Sequence, residues 1–214
     1  MPDPAKKPRR RQPRSLGREE RTQALRQAIV DSAIAEFAAL GYGGASLRSI
    51  SARTGIELGH LGYHFSTKME LWQAAVASIF DAMPKPADQP VAETPAEARA
   101  TVARLIADYA SFCLSHPEHI QIVFSEAAAG GERMDWITRH YLNDIVSGFS
   151  HHIEAVHRQG VLKTIEPAIF ISALVGISAI NFALPPLRDV LMGGGIGADA
   201  LAKLLSTLVE GPGE

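Results

Sequence analysis

The chain has 214 residues, 46% of them apolar and 21% charged, with a net charge of −2. That composition can bury a core and excludes a wholly disordered chain, and a single cysteine, Cys113, excludes an intramolecular disulfide framework or a cysteine-rich metal module. The small net charge hides a division: residues 1–68 hold twelve Lys/Arg against six Asp/Glu, and residues 69–214 hold nine against seventeen, so a polyanion-binding head on an acidic body and chance clustering in a solvated tail both fit.

Residues 1–21 read as a disordered basic arm, since Lys6, Lys7, Arg9, Arg10, Arg11, Arg14 and Arg18 stand among four prolines and few apolar residues. No apolar stretch follows them, so a secretory signal is not expected and the cytoplasm is. From about Thr22 the apolar residues Leu25, Ile29, Ala33, Phe37 and Leu40 recur every three or four positions, which predicts a helix that Gly41 stops. Ser46 reads as the N-cap of a short helix that turns Leu47 and Ile50 inward and ends at Gly55. Another short helix begins near Leu58, with Leu61 and Phe65 as its apolar face. Thr67-Lys68-Met69-Glu70 then reads as a reciprocal capping box that opens a helix carrying Leu71, Ala75, Ile79 and Phe80 or Met83.

Pro84, Pro86, Pro90 and Pro95 mark a linker between a head at 22–83 and a C-terminal body at 95–211. Thr94-Pro95-Ala96-Glu97 is a second capping box, with proline at the first helical position. The body reads as helices at about 95–115, 117–128, 132–159, 167–191 and 198–210, punctuated by Gly130-Gly131 and Gly160. No alternating strand pattern is present, so the expected fold is all-α: a helix-turn-helix head and a helical body. The stretch from Pro167 to Leu187 has 21 residues without a charge, long enough to cross a bilayer. Ser172, Gly176, Ser178, Asn181 and Pro185-Pro186 interrupt it, and strong basic flanks are missing, so a buried or subunit-interface helix is the expectation.

Residues 46–65, SLRSISARTGIELGHLGYHF, have the form of two short helices joined by a glycine turn, which is helix-turn-helix geometry. The outward positions of the second helix, Leu58, Gly59, His60, Gly62, Tyr63 and His64, are short of Glu, Lys and Gln and rich in glycine and rings. Such a surface suits a helix pressed into a groove. Residues 22–83 resemble the DNA-binding domain of the tetracycline-repressor (TetR, AcrR-like) family. The match runs through Ile29, Ala33, Phe37, Gly41, Tyr42, Ser46, Leu47, Ile50, Ala52, Gly55, Ile56, Gly59, Leu61, Tyr63, His64, Phe65, Lys68 and Leu71.

The resemblance implies a homodimeric, ligand-responsive transcription regulator, usually a repressor, on a palindromic operator of double-stranded DNA. Ser46 would cap its helix and bond a phosphate, and Arg48 would contact backbone or a base edge. Leu58, Gly59, His60 and Gly62 would line the recognition helix. Tyr63 and His64 match phosphate-touching positions, and Lys68 adds a cation at a helix start that already favours anions. Two positions depart from the family pattern. Glu57 stands where a serine cap is common, and Gly62 where an aromatic is common. Glu caps poorly but can accept from a cytosine amino group. Gly62 reads either as close approach to DNA or as a loosened helix. The basic arm reads either as a DNA-reaching segment or as a solvated tail.

The body should hold a small, mostly apolar effector with one or two polar handles. Its candidate wall residues are Tyr109, Phe112, Phe124, Trp136, Tyr141, Phe149, Phe170 and Asn181. Dimerisation should use the helices at 167–191 and 198–210. No cofactor, metal ligand or catalytic residue is expected. His116 beside Pro117 reads as a cap rather than a metal ligand with His119, and His151, His152 and His157 lack clustered carboxylates. Cys113 reads as a buried small hydrophobe. Asp108, Glu126, Asp135 and Asp144 read as solvated. The alternatives are a small helical enzyme or a metal- or redox-responsive sensor. No phosphate loop or nucleophile elbow supports the enzyme.

Overall fold

A computed structural model describes residues 17–86, 89–162 and 165–193, and within them every regular element is helical. The basic residues Lys6 to Arg14 and the helix expected at 198–210 lie outside the described residues. The first helix, α1, runs Arg18–Gly44, beginning four residues before the predicted start, where Glu20 accepts the Gly17 N–H at 2.7 Å. Its helical backbone breaks at Gly41 (φ 65°, ψ 173°), the predicted stop, and one further turn carries it to Gly44. A Cβ at Gly41 would lie 3.1 Å from the Ser125 hydroxyl, so this glycine also sets how closely α1 meets the body.

The head continues with α2 (Leu47–Thr54), α3 (Leu58–His64) and α4 (Lys68–Asp81). The body is α5 (Pro95–Ser115), α6 (Pro117–Ala129), α7 (Glu132–Ile137), α8 (Asn143–Arg158), α9 (Pro167–Phe182) and α10 (Pro185–Met192). Both expected capping boxes are half formed and shifted by one residue. Thr67 and Thr94 accept the N–H groups of Glu70 and Glu97, as predicted. The two glutamates reach one position further back, to the N–H groups of Ser66 and Glu93. The Ser66 hydroxyl also donates to Glu70, and these bonds hold its carboxyl below the usual range.

Two expected long helices are modified. The one at 132–159 carries a π turn, Thr138–Leu142, between α7 and α8, a feature that periodicity alone does not reveal. The one at 167–191 breaks after Phe182. Pro185 has no N–H to donate and biases Leu184 out of helical angles (φ −122°, ψ 57°). That break shortens the uncharged stretch, and no described helix is long and apolar enough to cross a membrane.

Two apolar clusters hold the molecule together. The first contains Ile29, Ala33 and Phe37 of α1, Ile50, Leu61, Phe65, Leu71 and Trp72, and continues into the body through Phe112, Ile122 and Ile137. The second joins α5, α8 and α9 through Leu105, Ile106, Phe149, Ile153, Phe170 and Leu174. Buried side chains of this size each contribute about 1.5–3 kcal/mol. The head is therefore packed directly on α6 and α7 rather than tethered only through residues 84–95. That segment is itself fastened, since His152 of α8 donates from Nε2 to the Pro86 carbonyl at 2.6 Å.

Candidate nucleic-acid interface and linked cavity

A short set of polar contacts fixes the angle between α2 and α3. Ser46 caps α2 by accepting the Ser49 N–H at 3.0 Å, and the Ser49 hydroxyl returns a bond to the Ser46 carbonyl at 2.9 Å. Gly55 ends α2 in the left-handed region (φ 68°, ψ 14°), where a Cβ is disfavoured. Across the turn, the Ser51 hydroxyl donates to the Ile56 carbonyl at 2.6 Å. Arg53 pairs with the buried carboxylate of Glu36 at 3.1 Å and holds the last turn of α2 against α1. Leu61 and Phe65 are fully buried and fasten α3 to the same core.

With Leu61 inward, α3 turns Leu58, Gly59, His60, Gly62 and Tyr63 outward. Tyr63 is 84% exposed, and its ring meets the half-buried His64 edge-on at 5.4 Å. A methyl group at Gly59 or Gly62 would meet no atom within 4 Å. These glycines do nothing for the packing of the chain itself. They leave the helix surface open to whatever lies against it. Glu57 makes no side-chain cap bond, and α3 starts on N–H groups of His60 and Leu61 bonded to the Glu57 carbonyl. Arg48 is exposed on α2. The Ser46 hydroxyl lies 2.8 Å from that of Ser49 and is engaged in the cap. The first N–H groups of α2 are then what this end offers an anion.

Lys68, at the start of α4, sits with its ammonium 4.4 Å from the centre of the Tyr42 ring, and Arg133 lies 4.2 Å from that ring. Arg133 also donates to Glu126 at 2.8 Å, and the Glu126 carboxylate is 3% exposed. Glu126 was expected to be solvated; its burial is possible because the guanidinium neutralises it. Two cations sharing one ring thus connect the outward face of the head to α6 and α7. The pairing of Glu126 with Arg133, seven residues apart on different helices, is not legible in the sequence, because spacing does not show which carboxylate is buried.

The far end of α4 reaches a cavity. Phe80 lies about 18 Å along the helix from Lys68, and it lines the cavity with Met83, Tyr109, His119, Ile120, Val123, Phe124, Leu142, Ile145, Val146, Phe149, Ile171, Leu174 and Val175. The space measures about 90 Å³ and its wall is almost wholly apolar. Of the eight expected wall residues, Tyr109, Phe124 and Phe149 line it. Tyr141 stacks on Phe80 at 4.7 Å and lines a neighbouring, more polar cleft with Asp81, His140, Asp144 and His151. The other four are not in its wall. Phe112 belongs to the first cluster and Phe170 to the second, Trp136 packs against Trp72 and His140, and Asn181 bonds the Ile177 carbonyl. Aromatic content alone does not distinguish core from cavity wall.

His119 lines the cavity as well, a place that its position near Pro117 in the sequence does not reveal. Its Nδ1 lies 3.0 Å from the His116 carbonyl, and its Nε2 lies 3.4 Å from the Tyr109 hydroxyl. Burial pushes the His119 imidazolium down to about 4 and the Tyr109 phenol upward, so both are neutral near pH 7. Cys113 is fully buried nearby, and burial raises its thiol to about 11. His116 stands between α5 and α6 as the cap residue of both. Among the described residues no group of three or more His, Cys, Asp or Glu could hold a metal ion.

Residues 29–75 match the family model described as bacterial regulatory proteins, tetR family. No curated relative matches the sequence. Among solved structures, the chain is similar to a TetR-like transcriptional regulator from Rhodococcus sp. RHA1, at 21% identity and a TM-score of 0.63, covering 92% of this chain and 97% of that one. It is also similar to HlyIIR, a hemolysin II transcriptional regulator, at 16% identity and a TM-score of 0.64, covering 88% and 98%. A linker-substituted HlyIIR mutant reaches 0.69 at 14% identity, covering 90% and 99%. At such identities these likenesses establish the fold.

Proposed function

We propose that this chain, whose residues 29–75 match the family model of tetR bacterial regulatory proteins, is a DNA-binding transcription regulator: a homodimeric repressor released from a palindromic operator by a small, mostly apolar effector. In this reading α3 lies in the major groove, with His60 reading base edges and Gly59 and Gly62 allowing close approach. Tyr63, His64, Lys68 and Arg48 meet the phosphates. The glycine surface beside an exposed tyrosine supports that role, because an ordinary water-facing helix gains nothing from it.

The observation that carries the switch is that one helix serves both sites. α4 has Lys68 beside α3 at one end and Phe80 against the cavity at the other. A ligand that fills the cavity acts on the end of α4, and it changes DNA affinity to the extent that it prefers one setting of that helix. Dimerisation is supported by apolar residues left exposed on α9, on α10 and in the turn between them: Ile169, Leu184, Leu187, Val190 and Leu191. Exposed Ser172 and Ala173 and half-buried Gly176 beside them would permit close helix approach.

Selection of bound duplexes from a random pool by the full chain tests this reading, with mass measured by analytical ultracentrifugation. A two-fold symmetric site bound by a dimer is the expected result. A monomer indifferent to every duplex at low salt would overturn it.

A further inference from the structure

The cavity at the end of α4 carries information about its ligand that the family reading does not supply. It has no Lys, Arg, Asp or Glu in its wall. An anionic or cationic ligand would therefore be buried without a counter-charge, which is costly. The polar atoms available are those of Tyr109 and His119. The His116 carbonyl can only accept, so His119 Nδ1 carries the proton in that contact, and Nε2 is left as a bare acceptor. Tyr109 is its partner, at 3.4 Å, well beyond the roughly 2.8 Å that a hydroxyl donor prefers. The Tyr109 hydroxyl also has the Cys113 thiol as a hydrogen-bond partner, so the acceptor capacity that the pair's own contact satisfies poorly lies chiefly on His119 Nε2. Both groups stay uncharged at neutral pH, as burial requires.

Size adds a second limit. The space is about 90 Å³, against about 150 Å³ for an apolar cavity that holds benzene. A modest outward shift of flexible side chains such as Met83 would admit about seven non-hydrogen atoms.

From these features we infer that the cavity takes a small, uncharged, mainly hydrocarbon molecule with one hydroxyl, which donates to the Tyr109–His119 pair; phenols and six-carbon alcohols are the chemical class. The inference deepens the effector reading above and rests on the cavity being the effector site.

The test is isothermal titration of the full chain, without DNA, using phenol, 1-hexanol, benzene, hexanoate and hexylamine. Phenol and hexanol should bind once per chain, with benzene, hexanoate and hexylamine each at least tenfold weaker. Tyr109→Phe should lower the phenol-to-benzene affinity ratio about tenfold, and His119→Gln should lower it as well, in variants that still unfold cooperatively. Val123→Phe, which fills the cavity, should abolish binding of phenol and hexanol. Hexanoate binding as tightly as hexanol, a ratio unmoved by either polar variant, or no binding by phenol and hexanol would overturn the inference. Release of a selected duplex by phenol is read separately: binding without release would leave the ligand class standing and remove the switch.

Discussion

Replacing Gly62 by alanine sets two consequences of the structure against each other. Gly62 lies within the seven residues of α3 on an exposed face, outside the left-handed region, and an added methyl group meets no atom within 4 Å. Glycine loses more backbone entropy on folding than alanine, so Gly62→Ala should stabilise the chain by about 0.5–1 kcal/mol. For a protein of this size that is a rise in Tm of about 1–4 °C. A firmer recognition helix would by itself tighten DNA binding. If α3 presses against base pairs, however, the methyl group occupies the space the DNA needs. The loss should resemble that of one poorly matched base pair, about 1–3 kcal/mol or roughly five- to 160-fold. Urea denaturation gives the first quantity and fluorescence anisotropy with a selected duplex the second. Greater stability with unchanged or tighter DNA binding would refute close approach at Gly62. Lower stability would refute the claim that the protein leaves this position open.

Tyr63→Ala and Lys68→Ala should each weaken binding to all duplexes; loss of the Lys68 cation should also flatten the plot of log affinity against log salt by about 0.9, whereas loss of the uncharged Tyr63 should leave that slope as it is, and unchanged affinity would remove either residue from the phosphate contacts. His60→Ala should relax sequence preference more than it lowers nonspecific affinity, measured with matched and scrambled duplexes, and equal losses would remove it from base readout. Arg133→Met leaves the Glu126 carboxylate buried without its partner and should cost about 3 kcal/mol in urea denaturation, with much of the loss recovered by adding Glu126→Gln; a double variant no more stable than the single one would contradict the pairing. His119 has a folded-state pKa near 4, below its ordinary 6.5, so the unfolded chain takes up the proton first. Its contribution is therefore level above about pH 6.5 and falls by up to about 1.4 kcal/mol per unit as pH drops toward 4. His119→Gln should reduce the difference in stability between pH 7 and pH 4.5 by about 2–3 kcal/mol, and an identical pH profile would show that His119 takes up its proton equally in the folded and unfolded states.

The sequence by itself determined what local interactions control. Ser46, Thr67 and Thr94 cap the helices they were expected to cap, because each hydroxyl bonds an N–H three residues away. Gly41 and Gly55 interrupt the backbone where a left-handed residue is needed. Leu61 and Phe65 turn inward because the helical period places them on one face, and that leaves Gly59, Gly62 and Tyr63 outward. Tertiary structure alone decided what depends on neighbours distant in the chain. It buried Glu126 beside Arg133, made a cavity wall of His119, and left Phe112, Trp136, Phe170 and Asn181 out of that wall. Caps and turns are complete within a few residues and are written in their order. A cavity, or a carboxylate made neutral by a neighbour, exists only once several helices have packed, and its energy belongs to their arrangement.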